Sequence, residues 1–312
     1  MRFSLRILAA ALCLLLSAPT LAQSAGDEGF RAAVQLAGYS VSANQTYVTA
    51  SGHDLKLDIY RPWPSNAPTP VVLNFHGGGW VAGSREEDLP QLLPYMQLGF
   101  AVVNVEYRLA RIALAPAAVE DTLCALQWVG RNAKTYNFDL SKVVVTGGSA
   151  GGHLALATGM IPSDSPFANQ CAPNGSWSGP YVNSAPKVAA VINWFGITDV
   201  ADMLQGPNER SYAVGWFGSM DGRMELARRL SPLSYVRKDG PAVLTIHGDA
   251  DPLVPYAHAL RLQQAMDKAG ERNRLFTIKG GGHGGFSPEQ REEAFVAVRG
   301  FLRELGIVAP TR

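Results

Sequence analysis

Residues Thr146 to His153 read TGGSAGGH, and the run that leads into them, Lys142 to Thr146, reads KVVVT. The first stretch contains G-x-S-x-G as Gly147, Gly148, Ser149, Ala150 and Gly151. The β-branched run before it predicts a strand, and the small and apolar residues from Ala150 to Met160 predict a helix after it. A serine on a sharp strand-to-helix turn stands at the top of a sheet, strained, with its hydroxyl exposed. Small residues at Gly147 and Gly151 let the strand and helix close around it. The chain has 32 glycines, so the bare pattern would arise by chance roughly 0.2 times. Its weight comes from the flanking strand and helix, and on that context Ser149 is the expected nucleophile.

On either side of this turn, strands and helices alternate. Val48 to Ala50 and Leu55 to Tyr60 read as an opening antiparallel pair. The apolar runs Pro70 to Phe75, Ala101 to Tyr107, Lys142 to Thr146, Val188 to Phe195, Ala242 to His247 and Leu275 to Ile278 read as strands. Helical spacing covers Asp88 to Leu98, Pro116 to Ala133, Tyr256 to Lys268 and Pro288 to Leu305. The order predicts an α/β fold: a mainly parallel central sheet with helices on both faces. Residues 162 to 186 are rich in Pro, Ser, Asn and Gly and read as a loop insertion, and 197 to 240 as short helical pieces. No repeat or linker argues for a second domain.

Sites in such sheets form at the carboxyl ends of the strands, and the remaining polar and glycine-rich clusters fall there. HGGGW, His76 to Trp80, follows the strand PVVLNF. Acyl transfer builds negative charge on a carbonyl oxygen, and preorganised N–H donors stabilise it. The N–H groups of Gly78, Gly79 and Ala150 are the expected donors, with His76 tying its loop. A phosphate cradle would need a following Lys and Ser or Thr, which is absent. HGDADPLVP, His247 to Pro255, and GGGHGGF, Gly280 to Phe286, supply an acid and a base after the last two strands. His283 is expected to take the proton of Ser149 and Asp251 to orient and stabilise the imidazole, with Asp249 holding the turn. Trp80 and Trp194 end neighbouring strands and are expected to line an acyl or aryl pocket, with Trp177, Tyr212, Trp216 and Phe217 as further aromatic candidates.

Of the 312 residues, 47% are hydrophobic and 17% charged, a foldable globular composition. Twenty-seven basic against 26 acidic side chains leave a net charge of +1, without a basic patch, so no nucleic-acid partner is expected. Arg2 and Arg6 head an apolar run from Ile7 to Leu16, followed by small residues up to Ala22. That is the layout of a secretory signal. Residues 1–22 are therefore read as a signal peptide, 23–312 as a single catalytic domain, and the protein as secreted or periplasmic. The apolar run is too short to span a bilayer, so no membrane anchor is expected. Beyond the signal, the cysteines are Cys124 and Cys171. Cys124 has the apolar helical setting of a buried thiol, and whether it pairs with Cys171 is open. Two cysteines and no H-E-x-x-H give no zinc set, and no cofactor or metal is expected.

HGGGW, EYRLA (Glu106 to Ala110), GGSAGGH, HGDADPLVP and GGGHGGF, in that order, resemble the α/β-hydrolase esterases. The nearest likeness is to the BD-FAE-like group of bacterial feruloyl and acetyl-xylan esterases; hormone-sensitive-lipase-like esterases are more distant. The resemblance spans residues from about 45 to 306. It implies the α/β-hydrolase fold with short cap insertions, a Ser149–Asp251–His283 triad, a structural Arg108–Asp121 pair, and a small-molecule or carbohydrate ester as substrate. Two positions depart from the lipase-like pattern: Gly148 where an Asp is usual, and Arg111 where a Pro is usual. A prolyl-oligopeptidase-like peptidase, an aryl-formamidase and a non-catalytic hydrolase-fold protein are the alternatives. Against them stand the absence of a propeller repeat, the export signal and the intact triad, respectively. Sequence leaves the oligomeric state and the natural ester open.

Overall fold

The computed structural model describes residues 38–65, 67–171 and 185–309. The expected signal segment and Trp177 lie outside the described residues. Eight strands form one sheet: β1 (Tyr39–Ala50), β2 (His53–Pro62), β3 (Thr69–Phe75), β4 (Ala101–Val105), β5 (Phe138–Gly148), β6 (Val188–Trp194), β7 (Ala242–Gly248) and β8 (Asn273–Ile278), in the order β1-β2-β4-β3-β5-β6-β7-β8. β1 and β2 pair antiparallel, as do β2 and β4, and all later pairs are parallel. The α-helices of the described residues are α1 (Leu89–Gln97), α2 (Ala117–Arg131), α3 (Ala133–Tyr136), α4 (Ala150–Met160), α5 (Ser211–Phe217), α6 (Arg223–Leu230), α7 (Ala257–Ala269) and α8 (Pro288–Glu304).

The central strands are mainly apolar because both faces are covered. Val71, Leu73, Phe75, Val143, Val145, Val191 and Val243 point to one core, shared with α2, α4 and α7. Val72, Val144, Ala190, Ile192, Leu244 and Ile246 point to the other, shared with α1 and α8. This is the period-two alternation of a strand buried on both sides. Each Val, Leu, Ile or Phe among them contributes about 1.5–3 kcal/mol relative to exposure.

The structure is an α/β-hydrolase fold. It lengthens some expected elements and bonds the two cysteines. β5 begins at Phe138 rather than Lys142, because Phe138 and Asp139 pair with Thr69 and Pro70 ahead of a register shift. The polar stretch before KVVVT gives no strand signal of its own, so this pairing is set by the neighbour. Cys124 on α2 is disulfide-bonded to Cys171, with a Cα–Cα distance of 4.9 Å, so Cys124 is not a free thiol. Cys171 ends the short 3₁₀ turn Pro166–Gln170, which Gln127 also pins by donating to Ala168 O at 2.9 Å. Among the described residues no helix is long and apolar enough to cross a membrane.

Candidate active site

Ser149 sits between β5 and α4 with φ 58° and ψ −118°, a left-handed conformation costly for a serine. Two hydrogen bonds hold it there: its N–H donates to Trp194 O at 2.9 Å, and His153 N–H donates to Ser149 O at 3.0 Å. Close approach explains the glycine at 151. A Cβ there would lie 1.9 Å from the carbonyl oxygen of Phe75, so α4 seats against β3 only without a side chain.

Chain crossovers bring the three residues expected to react onto one line. The Ser149 hydroxyl lies 2.8 Å from His283 Nε2, and His283 Nδ1 lies 2.7 Å from Asp251 Oδ2. Asp251 follows β7, and His283 sits in the glycine-rich loop after β8. Asp251 Oδ1 accepts from the N–H groups of Leu253 and Val254, at 2.8 and 3.0 Å. His247 Nε2 approaches Oδ2 at 3.2 Å and also donates to Val254 O at 3.0 Å. Burial on its own would raise the Asp251 carboxyl. Hydrogen bonds from His247, His283 and the Val254 N–H outweigh it and hold the group well below the usual carboxylate range. An acid held ionised in this way fixes the imidazole with Nδ1–H toward it and leaves Nε2 free to accept the serine proton.

The loop after β3 turns at Gly78, whose carbonyl accepts from Val81 and Ala82 N–H at 3.1 and 3.0 Å. At φ 105° a Cβ on Gly78 would lie 2.1 Å from Ala82 O, so only glycine closes this turn. Among the described residues, the N–H groups of Gly78, Gly79 and Ala150 have no hydrogen-bond partner. The first two belong to this loop and the third to the first residue of α4, and Gly78, Gly79 and Ser149 line one cleft. His76 anchors the loop. Its Nδ1 donates to Gly77 O at 2.7 Å, its ring stacks on Tyr107 at 4.2 Å, and the Tyr107 hydroxyl donates to His76 O at 2.9 Å. Burial pushes the His76 imidazole down to about 4, which suits a neutral strut.

The cleft over Ser149 has a volume of ≈ 390 Å³, and Asp88, Gln91, Phe195, Tyr212 and Leu253 complete its walls. Trp80 is not among them, which corrects the expectation from sequence. It is fully buried, stacks on Trp216 at 4.2 Å, and donates its indole N–H to His153 Nδ1 at 3.2 Å. An indole whose ring and N–H are both satisfied inside the protein packs the underside of the glycine loop and cannot touch a ligand. Trp194 lies on an adjoining cavity of ≈ 540 Å³, with Tyr95, Phe286 and Phe295, and Phe195 and Gln91 line both spaces.

Tyr212, an aromatic candidate from sequence, does line the cleft, whereas Phe195, Leu253, Asp88 and His247 were not singled out from sequence. His247 carried the one usable signal, its place just ahead of the acid in HGD. Phe195 also accounts for Gly148: its ring atoms lie 3.3 Å from where a Cβ would stand, and the ring meets His283 edge-on at 4.8 Å. Asp249 accepts from Gly280 N–H and ties the two loops together, while Asp251 is the acid that meets His283. Arg108 and Asp121 form a buried pair closed at 2.7 Å, away from the cleft. Among the described residues no group of three or more His, Cys, Asp or Glu side chains is placed to hold a metal ion.

Known proteins that resemble this chain include esterases of the same fold. Residues 224–309 match the model of the TAP-like proteins. Esterase LipQ of Mycobacterium tuberculosis is 27% identical over 74% of this chain, which spans 54% of LipQ, about half its length. The propionate-bound esterase Est2 of the planctomycete Thermogutta terrifontis superposes with a TM-score of 0.72 at 27% identity, covering 88% of this chain and 97% of Est2. A truncated carbohydrate esterase from gut microbiota superposes with a TM-score of 0.70 at 30% identity, covering 86% and 97%. The BD-FAE family model matches residues 57–266, a span that holds the glycine loop, Ser149 and Asp251, and the protein belongs to the BD-FAE family of α/β-hydrolases.

Proposed function

We propose that the protein is a serine carboxylic ester hydrolase working through an acyl-enzyme. The observation that carries this reading is the hydrogen-bonded line Ser149–His283–Asp251 opening into the cleft beside the glycine loop. Ser149 Oγ attacks the ester carbonyl carbon while His283 Nε2 takes the hydroxyl proton. The N–H groups of Gly78, Gly79 and Ala150 hold the oxyanion, at about 3 kcal/mol per donor. The C–O bond to the alcohol then breaks, and the leaving oxygen takes the proton from His283. Water, deprotonated by the same imidazole, releases the acid and restores Ser149.

Small acyl or aryl esters, such as acetylated or feruloylated carbohydrate, are the proposed substrates. The modest cleft and the aromatic walls of Phe195, Trp194, Phe286 and Phe295 beside it support this choice. So does the likeness to an esterase solved with propionate and to a carbohydrate esterase. Export to the periplasm or beyond is part of the same proposal, supported by the N-terminal pattern and by a disulfide suited to an oxidising compartment.

A panel of p-nitrophenyl acetate, methyl ferulate, acetylated xylan, formylkynurenine and a peptide anilide tests the reading. Ester turnover is expected, falling by about 10⁴–10⁶ in Ser149→Ala. Anilide or formamide hydrolysis without ester turnover would overturn it, as would undiminished ester turnover in the alanine variant.

A further inference from the structure

Asp88 stands at the N-cap position of α1, where an aspartate ordinarily caps the first N–H groups of its own helix. It makes no such bond: its backbone is at φ −91° and ψ −3° instead of extended, and Pro90 removes one of the donors it would cap. Its carboxylate goes elsewhere. Oδ2 accepts from Asn74 Nδ2 at 3.2 Å, and Oδ1 makes a long contact of 3.4 Å with Gln91 Nε2. Asn74 also donates to Asn104 Oδ1 at 3.0 Å, and Asn104 Nδ2 donates to Arg85 O at 2.7 Å, so a buried amide ladder across β3 and β4 fixes the carboxylate from behind. Asp88 lines the cleft that contains Ser149 and the glycine loop. Among the described residues no Lys, Arg or His forms an ion pair with it. An ionised carboxylate offers about four acceptor positions, and two are filled.

We propose that Asp88 is a specificity-determining residue, whose carboxylate accepts a hydrogen bond from a free hydroxyl of the bound ester and turns away esters that carry a negative charge. The ligand class is an uncharged, partly acylated polyol. This rests on the ester-hydrolase reading. Burial pushes Asp88 up to about 6, with Asn74 pulling it down and Glu87 pushing it up, so the group is ionised in mildly alkaline buffer. A poorly solvated anion gains more from one hydroxyl donor than a solvated one does, because hydrogen bonds to charged groups are the stronger kind and are worth about 1.5–3 kcal/mol.

The test is steady-state kinetics at pH 8 on 2-hydroxyethyl acetate, its methyl ether 2-methoxyethyl acetate, and the anion acetoxyacetate. In the wild type, kcat/KM for the hydroxyl ester is expected to exceed that for the ether by about tenfold or more, expressed mainly in KM. In Asp88→Ala that ratio falls toward one, whatever the absolute rates. In Asp88→Asn, which keeps the size of the side chain should the alanine variant misfold, turnover of acetoxyacetate rises relative to the ether by about fivefold or more. A wild-type ratio near one, or a ratio that survives in both variants, overturns the proposal while leaving the hydrolase reading intact. No turnover of any of the three by wild type, or of p-nitrophenyl acetate, sinks the hydrolase reading itself.

Discussion

Asp251 shows how much one side chain is asked to do. Two imidazoles and two backbone N–H groups surround its two oxygens. Asp249, two residues earlier, accepts from the Gly280 N–H. The two acids therefore separate cleanly by substitution. Asp251→Asn is expected to lower kcat by about 10⁴, because an amide cannot hold the imidazole in the productive tautomer. Asp249→Asn is expected to stay within about tenfold, because an amide oxygen still accepts the Gly280 N–H. Comparable losses of kcat in the two variants would reassign the acid.

At the scale of elements, the disulfide and the elbow divide the labour. The elbow is local: β5, one strained serine and α4. The Cys124–Cys171 bond is long-range, closing 47 residues between α2 and the start of the insertion before β6. Its stabilisation is largely the entropy removed from the unfolded chain, up to about 4 kcal/mol for a loop of this size. Replacing both cysteines by serine is expected to lower Tm. Dithiothreitol should lower the wild-type Tm by a similar amount and leave the double variant unmoved. A reductant effect that persists in the double variant would assign the loss to something other than this bond.

Across the whole molecule, His153 ties together three distant stretches. On α4, it accepts from Trp80 of the glycine loop and donates from Nε2 to Leu230 O at the end of α6, at 2.8 Å. Burial pushes its imidazole down to about 4, with the Leu230 carbonyl pulling the other way. The unfolded chain takes up a proton near pH 6.5, while the folded chain resists until about 4. The stability that the neutral histidine carries is therefore full above pH 6.5 and is lost as pH falls toward 4, by up to about 3 kcal/mol. His153→Gln should be less stable than wild type at pH 7.5, and that deficit should shrink as pH is lowered through this window. Chemical denaturation of both proteins at several pH values checks this. A deficit constant from pH 7.5 to 4 would mean that the imidazole already titrates normally in the fold.

The alternation of apolar runs, the serine turn, the three-glycine loop and the order serine, acid, histidine were legible in the sequence. Each is a local pattern with its own physical signature, and the family likeness rests on the same stretches. The bond between Cys124 and Cys171, the burial of Trp80, and the walls made by Phe195 and Asp88 were decided only in three dimensions. A tryptophan beside a glycine loop reads alike whether its ring faces the cleft or the core. What turned it inward was Trp216 and His153, which lie 136 and 73 residues along the chain and reach it only through the crossovers of the sheet.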